Sequence, residues 1–401
     1  MKKLFVLSVG MMVLLAVTLP LAAQSPSDFG QTKAYPPIKV LAGPQNPNNP
    51  SGILPRAFKA AYGFNQIPNQ GQGMTIALVD AYKDPNIASD LAFYASYFHI
   101  APCNFQVVDL ATVEGQGWDL EESLDVEQAC VLAPQANIVL VEAASSNYSD
   151  LLTAVATASA APYNATVVSM SWGGGEGQGE QQYDSYFCNI VNGNGQPVTF
   201  IAATGDGGHG TIYPSTSPCV IAAGGTTLAL TSAAPLGNPL LLDYGTESAW
   251  NGSGGGVSGF ELQPSFQSPA CATWSSTNRC VPDIASDANP GTGVPVYDTF
   301  SYSGWVQVGG TSVATPDWAG FLTLVNSARV LAGKGTLSQA DYDLYQIYYS
   351  SNYLTDFHDI TSGTNGGCGS QCDTGPGYDL VTGIGTYQAN KLYGPLVAAT
   401  N

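Results

Sequence analysis

The feature that most constrains the fold of this 401-residue chain is a series of short, continuously apolar runs. The runs that predict strands are Thr75–Val79, Ile138–Glu142, Thr166–Met170, Val198–Ala202 and Val306–Val308. Between and after them, helical patterns cover residues 87–98, 119–133, 150–161, 179–191 and about Thr315 to Leu331. Apolar strands that alternate with helices are typical of a parallel sheet with helices on both faces. The sequence therefore predicts one α/β domain over residues 53–396.

The charge balance narrows the classes of function. The chain has 11 Lys and Arg against 30 Asp and Glu, and no Lys or Arg lies between Lys83 and Arg279. Nucleic acids and anionic membranes bind clustered cations, so we expect neither as a partner. In acid the carboxylates lose their charge, and the scarcity of bases then limits the self-repulsion that helps to unfold proteins. The composition therefore suits work at low pH.

The N-terminal residues predict export. Residues 1–23 contain two lysines, an apolar run from Leu4 to about Leu19 and small residues up to Ala23, which is the order of a secretory signal peptide. A membrane anchor is the alternative, because the run approaches spanning length. Residues 24–52 are polar and rich in Pro and Asn, so they are predicted to be a linker. We expect a secreted monomer with no membrane attachment after signal removal.

Eight cysteines in an exported chain predict disulfide bonds. Two pairs are close enough in the sequence to bond locally: Cys271 with Cys280, and Cys368 with Cys372. Four others would form two more bridges in an order that the sequence leaves open: Cys103, Cys130, Cys188 and Cys219. Zinc is not expected, because the Cys368 and Cys372 pair has no second pair of Cys or His beside it.

A serine that follows a strand and two glycines is the first candidate for chemistry. Ser312 lies where a helix is predicted to begin, and backbone N–H groups there favour developing negative charge. A helix-capping serine is the alternative interpretation. The chain has three histidines, and none of them lies in the His-Gly-Thr-His setting of a subtilisin: His99, His209 and His358. A histidine base is therefore not favoured.

Carboxylates are the better candidates for a base. Glu121 and Asp125 lie at i and i+4 on one face of a predicted helix, although a solvated acidic face would show the same spacing. Asp206 follows a predicted strand in a glycine turn, at the carboxyl end where α/β folds bind ligands. An ordinary Asp-Gly turn is the alternative for Asp206.

In combination, these segments resemble the sedolisins, the serine-carboxyl peptidases with a subtilisin-like fold. The matching motifs are Glu121-x-x-x-Asp125, Ser169-Met-Ser-Trp-Gly-Gly174, Ala203-Thr-Gly-Asp206 and Gly310-Thr-Ser312. Further matches are Pro55–Tyr62, Tyr213–Pro218, Gly224–Thr226, Asp359-Ile360 and Gly375–Gly385. Each motif alone is weak, but their joint order is specific and extends over residues 53–396.

The resemblance implies a role for each matched residue. Ser312 would be the nucleophile, Glu121 its general base and Asp125 the residue that orients Glu121. Asp206 would be a protonated acid that donates a hydrogen bond to the oxyanion, because a carboxyl group donates only when neutral. The substrate backbone would pair with Ser171, Trp172, Gly173 and Gly174, and Asp80 is a further candidate for the carboxyl network.

The implied roles predict an acid pH optimum and a calcium ion. Glu121 must be ionised while Asp206 is protonated, which for unperturbed carboxyl groups gives a window of about pH 3–5. The resemblance also implies one Ca²⁺ near the C-terminus, where the alternative is a pair of turn aspartates. Its ligands would be Asp359, Ile360, Gly375, Gly377 and Asp379, the middle three through backbone carbonyls.

The resemblance leaves two rival functions open. Sedolisins usually carry a large N-terminal prosegment. Here only residues 24–52 separate the predicted signal peptide from the domain. Either the chain folds without a prosegment, or the prosegment was lost together with function. In the second case the chain would be a catalytically retired, secreted binding protein. The other rival is a subtilisin-like peptidase that uses Asp80, His209 and Ser312.

Overall fold

The computed structural model describes residues 29–42, 46–232 and 242–400, so the predicted signal peptide lies outside the described residues. At the centre is an eight-stranded sheet, parallel except at one edge, where Leu242–Ala249 pairs antiparallel with its neighbour. From that edge the strand order is Leu242–Ala249, Ile221–Ser232, Thr199–Ala203, Val167–Met170, Thr75–Ala81, Asn137–Ala143 and Asn104–Asp109. The eighth strand, Ile284–Asp287, pairs in parallel with Ile221–Ser232.

The sheet is buried on both faces, as its continuously apolar strands predict. In the strand Thr75–Ala81, Ile76 and Leu78 pack into one core, while Ala77 and Val79 pack into the core on the opposite face. This alternation explains why the four positions from Ile76 to Val79 are all apolar. The predicted single α/β domain with a subtilisin-like sheet is therefore confirmed.

Helices cover the two faces of the sheet. The described residues contain the α-helices Pro55–Ala61, Ile87–Tyr97, Asp119–Leu132, Tyr148–Ser159, Ser268–Cys271, Thr311–Leu331, Ala340–Tyr348, Tyr353–Asp356 and Ala389–Ala398. Short 3₁₀ helices lie at Phe64–Gln66, Glu180–Tyr186, Ser265–Gln267 and Gly369–Gln371. We call Asp119–Leu132 the glutamate helix and Thr311–Leu331 the serine helix. Within the described residues, no helix has both the length and the apolar character of a membrane span.

Smaller sheets flank the central one. Lys39–Val40, Gly304–Gly309 and Val294–Asp298 form a three-stranded antiparallel sheet. Three pairs of strands complete the described part of the chain: Gly256–Leu262 with Asn278–Val281, Phe357–His358 with Thr386–Tyr387, and Gly174–Gly175 with Ile212–Tyr213.

Three predicted elements differ from the structure. The apolar run Val306–Val308 belongs to the three-stranded sheet and not to the parallel one. Residues 179–191 form only the 3₁₀ helix Glu180–Tyr186, because a left-handed Gly179 precedes it and a turn at Cys188 follows it. The serine helix begins at Thr311, four residues earlier than predicted, so Ser312 lies in its first turn.

The described residues contain four disulfides. Cys271–Cys280 and Cys368–Cys372 confirm the two local pairs that the sequence predicts. The pairs that the sequence left open are Cys103–Cys130 and Cys188–Cys219. Each of these longer bridges closes a loop between two elements, which favours the folded chain by restricting the unfolded one.

Candidate active site

Three neighbouring strands of the central sheet end at the same edge and present polar residues there. Asp80 lies near the end of Thr75–Ala81, Ser171 follows Val167–Met170, and Asp206 follows the next strand after a glycine turn. Carboxyl ends of parallel strands meet at one edge, which is where α/β folds form their ligand sites. The topology therefore gathers these side chains although up to 126 sequence positions separate them (206 − 80).

Two helices that pack against each other supply the remaining candidates. Glu121 and Asp125 project from the glutamate helix, and Ser312 lies at the start of the serine helix. Gly320 allows the close approach of the two helices, since a Cβ atom at this position would lie 2.8 Å from Leu132 Cβ. Ser312 and the two carboxyl groups are consequently held on two tightly packed elements.

The start of the serine helix depends on two residues with special backbones. Gly310 has φ +114°, and a side chain there would overlap the carbonyl oxygen of Pro37 and lie 2.7 Å from Asp206 Oδ2. Pro316 has no N–H to donate to the Ser312 carbonyl four residues before it. That carbonyl lies 3.4 Å from the Ser171 hydroxyl instead.

Glu121, Asp125 and Asp80 form a fully buried carboxyl cluster beside Ser312. Burial raises the pKa of Glu121 well above its usual value, and the charges of Asp125 and Asp80 raise it further, while the Ser312 hydroxyl opposes the shift. Burial likewise raises the pKa of Asp125, and raises that of Asp80 to about 8. Because each ionised carboxylate makes ionisation of its neighbours less favourable, the three carboxyl groups carry fewer than three negative charges at acid pH.

Ser171 connects this cluster to the serine helix. Its hydroxyl donates a 2.8 Å hydrogen bond to Asp125 Oδ1 and lowers the pKa of Asp125 against the effect of burial. The sequence assigned Ser171 to substrate binding, but its side chain is fully buried and faces the carboxyl groups. Ser171 is therefore placed to orient Asp125.

Asp206 contacts Thr311, the residue that precedes Ser312. Its Oδ1 accepts hydrogen bonds from the Thr311 N–H at 2.8 Å and from the Thr311 hydroxyl at 3.1 Å, whereas its Oδ2 has no hydrogen-bond partner. Burial raises the pKa of Asp206 to about 7. Below that pH the protonated group can donate from the oxygen that lacks a partner.

Thr311 is a site residue that the sequence interpretation missed. Besides its two bonds to Asp206, its hydroxyl accepts a 3.0 Å hydrogen bond from the Gly205 N–H. Asp206 lies in the turn that includes Gly205, and Thr311 therefore joins this turn to the start of the serine helix. The signal was its position in the motif Gly310-Thr-Ser312, next to the candidate nucleophile.

Residues 29–42, which we call the N-terminal strap, lie across this site. Tyr35 and Gly173 exchange two backbone hydrogen bonds, of 2.9 and 3.2 Å. Beyond the site, Lys39–Val40 pairs antiparallel with the end of Gly304–Gly309. Between the two pairings, the carbonyl of Pro37 accepts a 3.3 Å hydrogen bond from the Ser312 N–H. The sequence predicts a linker here, whereas the structure pairs the strap with the domain. The pairing uses backbone atoms, so the polar composition of the segment gives no sign of it.

The four candidate substrate-binding residues divide into two kinds. Gly173 pairs directly with the strap, and a Cβ at Gly174 would lie 3.0 Å from the Lys33 carbonyl oxygen. Trp172 is fully buried, and its indole N–H donates a 2.8 Å bond to the Val79 carbonyl. Trp172 and Ser171 therefore hold residues 171–174 in place through buried hydrogen bonds, while the two glycines face the N-terminal strap.

None of the three histidines is hydrogen-bonded to Ser312, whose hydroxyl has no hydrogen-bond partner among the described residues. His99 and His209 are exposed, and His209 lies in a loop whose backbone pairs with Gly255. His358 stacks on Tyr244 with 3.7 Å between ring centres, and burial lowers its pKa to about 4. The rival triad of Asp80, His209 and Ser312 therefore lacks its base.

The five predicted calcium ligands lie in one C-terminal loop region. The Gly377 N–H contacts both oxygens of Asp359 at 3.1 Å, and the Gly375 N–H donates to Asp379 Oδ2 at 3.3 Å. Asp379 and Ile360 are buried, and burial raises the pKa of Asp379 to about 7. Two carboxylates among backbone oxygens are hard donors that fit calcium. The carbonyl roles of the glycines remain a prediction, because their N–H groups face the carboxylates here.

Comparison with known proteins agrees with this geometry. The model of the subtilase family matches residues 126–340. Sedolisin of Pseudomonas sp. (strain 101) is 28% identical over 92% of this chain and 68% of that protein. Kumamolisin of Bacillus sp. (strain MN-32) is 30% identical over 84% of this chain and 62% of that protein. The chain thus spans about two thirds of the length of these relatives.

A solved structure is similar over nearly the whole domain. It is the structure of Pseudomonas sedolisin, a serine-carboxyl proteinase, in complex with two molecules of pseudo-iodotyrostatin. The two structures superpose with a TM-score of 0.72 and 26% sequence identity, over 86% of this chain and 98% of that one. The fold and the comparisons define a serine-type peptidase with a subtilisin-like architecture. Within that class, the chain belongs to the sedolisin family of serine-carboxyl peptidases.

Proposed function

We propose that this chain is a secreted endopeptidase that acts in acid through Ser312, Glu121 and Asp125, with Asp206 as the oxyanion donor. The observation that carries the proposal is the strap, which lies in the cleft as an extended peptide. Its Pro37 carbonyl accepts a hydrogen bond from the Ser312 N–H, with backbone pairing on both sides. A cleft that holds a peptide carbonyl at a serine next to buried carboxyl groups suits acyl transfer.

In the first step, Ser312 Oγ attacks the carbonyl carbon of the scissile bond and its proton passes to Glu121. Negative charge develops on the carbonyl oxygen, which the Ser312 N–H and protonated Asp206 stabilise by donating hydrogen bonds. Glu121 then protonates the leaving amine as the C–N bond breaks, which leaves an ester on Ser312. Asp125, held by Ser171, keeps Glu121 oriented through both proton transfers.

In the second step, water attacks the ester carbonyl and gives its proton to Glu121. The tetrahedral oxyanion forms again at Asp206, and Ser312 leaves as its oxygen takes the proton back from Glu121. The new carboxyl group departs with the N-terminal part of the substrate. The same base and donor therefore serve both halves of the reaction.

The position of the strap favours cleavage within chains over removal of terminal residues. It enters beside Gly173 and leaves along Gly304–Gly309, so the cleft accepts backbone on both sides of Ser312. An exopeptidase needs one end of such a cleft closed. Extended protein segments and peptides are thus the proposed substrates.

The carboxyl groups set an acid working range. Asp206 must be protonated, and its pKa near 7 means that it loses the donor proton as pH rises through neutrality. The cluster around Glu121 must carry one negative charge, which the neighbouring hydroxyl groups of Ser312 and Ser171 stabilise. Activity should therefore be present in acid and be lost between about pH 6 and 8.

Calcium is proposed as a structural ion and takes no part in these steps. Asp359 and Asp379 would bind it through carboxylates, together with backbone oxygens of Ile360, Gly375 and Gly377. When bound, such an ion neutralises the two carboxylates and stabilises the loop. Removal with a chelator is expected to lower the melting temperature. Secretion is supported by the four disulfides, which persist in oxidising compartments.

The test is hydrolysis of a peptide library at several pH values between 3 and 8. The unmodified chain should cut internal bonds in acid, and Ser312→Ala should cut none while keeping its melting temperature. Ser327→Ala, which removes a hydroxyl from the far half of the same helix, is the matched control and should remain active. Inertness of the unmodified chain toward every peptide would favour the retired binding protein.

A further inference from the structure

A second buried carboxyl cluster lies outside the peptidase machinery. One carboxylate oxygen from each of Asp84, Asp90 and Asp298 lies within 4.8 Å of the other two. All three residues are less than 4% exposed. They come from three places in the chain: the loop after Thr75–Ala81, the helix Ile87–Tyr97 and the end of Val294–Asp298.

The hydrogen bonds around the cluster leave oxygen atoms open. Asp84 Oδ1 accepts from the Asn86 N–H, and Asp298 Oδ1 accepts from the N–H groups of Phe300 and Ser301. The second oxygens of these two carboxylates, Asp84 Oδ2 and Asp298 Oδ2, are buried without a hydrogen-bond partner, whereas both oxygens of Asp90 accept hydrogen bonds from Thr299. Unpaired buried oxygens are costly unless a proton or a cation fills the space.

Two further residues near Asp84, outside the group of three, each have a buried side-chain oxygen without a hydrogen-bond partner. The Ser123 hydroxyl is fully buried and has no hydrogen bond, yet it lies near enough to Asp84 to lower the pKa of that carboxyl group. Asp119 is 1% exposed with Oδ1 unpaired; burial raises the pKa of both Asp84 and Asp298, and the charge of Asp119 adds to that shift. The lysine next to Asp84, Lys83, forms its ion pair with Asp109.

We propose that Asp84, Asp90 and Asp298 form a calcium site, completed by Asp119 and Ser123, that is separate from the C-terminal one. The donors are carboxylate and hydroxyl oxygens, with no sulfur or imidazole nitrogen, which is the set that Ca²⁺ prefers. Five side-chain oxygens with water in addition reach the six to eight ligands that calcium takes. Several acidic ligands from different elements also favour Ca²⁺ over Mg²⁺, which keeps most of its water.

The site would connect the active site to its supporting elements. Asp119 and Ser123 lie on the first turns of the glutamate helix, on either side of Glu121 in the sequence. A bound cation would join this helix end to the helix Ile87–Tyr97 and to the loop after Asp298. At neutral pH it would compensate carboxylates whose pKa values burial raises to about 6 for Asp84 and about 7 for Asp298.

The test is the number of calcium ions bound per chain at pH 7, measured by equilibrium dialysis of the chelator-treated full chain. Two ions are expected for the unmodified chain, one for Asp298→Asn, one for Asp379→Asn and none for the double variant. Asp243→Asn, an exposed aspartate, is the matched control and should bind two. If Asp298→Asn binds as many ions as the unmodified chain, the proposal is wrong, and protons alone fill the cluster.

Terbium luminescence gives a second readout that does not depend on a complete loss of binding. Burial raises the pKa of Tyr302, and the charges of Asp298 and Asp119 nearby raise it further. Tb³⁺ in this site should therefore be sensitised by tyrosine. Ser123→Ala keeps all the carboxylates and should weaken Tb³⁺ binding several-fold with an unchanged fold. Tyrosine-sensitised emission that is unaffected by Ser123→Ala and Tyr302→Leu would also overturn the proposal. Neither readout requires peptidase activity.

Discussion

Two buried carboxyl clusters meet at the first turns of the glutamate helix, and they differ in what surrounds them. The cluster of Glu121, Asp125 and Asp80 lies beside a serine hydroxyl and accepts a bond from Ser171. In the cluster of Asp84, Asp90 and Asp298, the oxygens accept mainly backbone N–H groups and the side chain of Thr299. Burial raises carboxyl pKa values in both.

The comparison shows that a raised pKa does not by itself define a catalytic carboxyl group. Glu121 and Glu122 are neighbours, both fully buried, and burial raises the pKa of each. Glu122 instead accepts a 3.0 Å hydrogen bond from the Asp84 N–H. What separates the two glutamates is the partner that each one faces.

The largest expected effect is the contrast between these two glutamates. Glu121→Gln removes the proposed base and should lower kcat by about 10³-fold or more, since an amide takes no proton. Glu122→Gln removes a carboxyl group of equal burial and should change kcat by less than about tenfold. Steady-state hydrolysis of one peptide at pH 4 measures both, with melting curves as the control for folding. Equal losses in the two variants would contradict the assignment of the base.

A smaller effect is expected at Asp206. Asp206→Ala removes an oxyanion donor and should lower kcat by about 10²–10³-fold. Asp206→Asn keeps an N–H donor that does not titrate, so it should lose less activity than the alanine variant. Because Asp206 donates only when protonated, activity of the unmodified chain falls as pH rises through about 7, and this fall should move upward in Asp206→Asn. A pH profile that is the same in both proteins would remove Asp206 from this role.

Ser171 tests how the catalytic cluster is oriented. Ser171→Ala deletes the 2.8 Å bond to Asp125 and should lower kcat about tenfold, with little change in KM, because Ser171 faces the carboxyl groups and not the substrate. Ser171→Thr keeps a hydroxyl group and should restore part of the rate. A change confined to KM would instead support the substrate-binding role that the sequence suggested.

The smallest effect concerns the strap as a competitor for the cleft. Tyr35→Pro removes the N–H that donates to the Gly173 carbonyl and should lower KM for an added peptide about fivefold, because one backbone bond of the occupant is lost. Tyr35→Ala keeps that N–H and is the matched control, since the tyrosine side chain is 65% exposed. The same KM in both variants would indicate that the strap does not compete with substrate.

Much of the fold and the candidate site follows from local sequence patterns. Apolar runs identified the central strands, and the i, i+4 spacing placed Glu121 and Asp125 on one face of a real helix. The start of the serine helix was missed because Pro316 is typical of a first turn, whereas here it lies in the second and frees the Ser312 carbonyl. Strand Asn104–Asp109 was missed because it lies at the sheet edge, where apolar and polar residues alternate.

Other features could not be predicted because they depend on contacts between distant segments. The strap has the composition of a linker, and its place in the cleft is fixed by backbone atoms that any residue offers. Asp84, Asp90 and Asp298 are 214 positions apart at most (298 − 84), and only the packing of three elements brings them together. The role of Thr311 is to hold Asp206 by hydrogen bonds, and it could be recognised only once the structure had placed Asp206 beside it.

The central claim is that a serine acts with carboxyl groups and without histidine, and the pH dependence of peptide hydrolysis tests it most directly. The measurement is kcat/KM for one internally quenched peptide from pH 2.5 to 8.5, with Ser312→Ala as the blank. A carboxylate base with a protonated Asp206 predicts a maximum in acid and a loss of activity by pH 8. A maximum at pH 7–8 that depends on Ser312 would contradict this account.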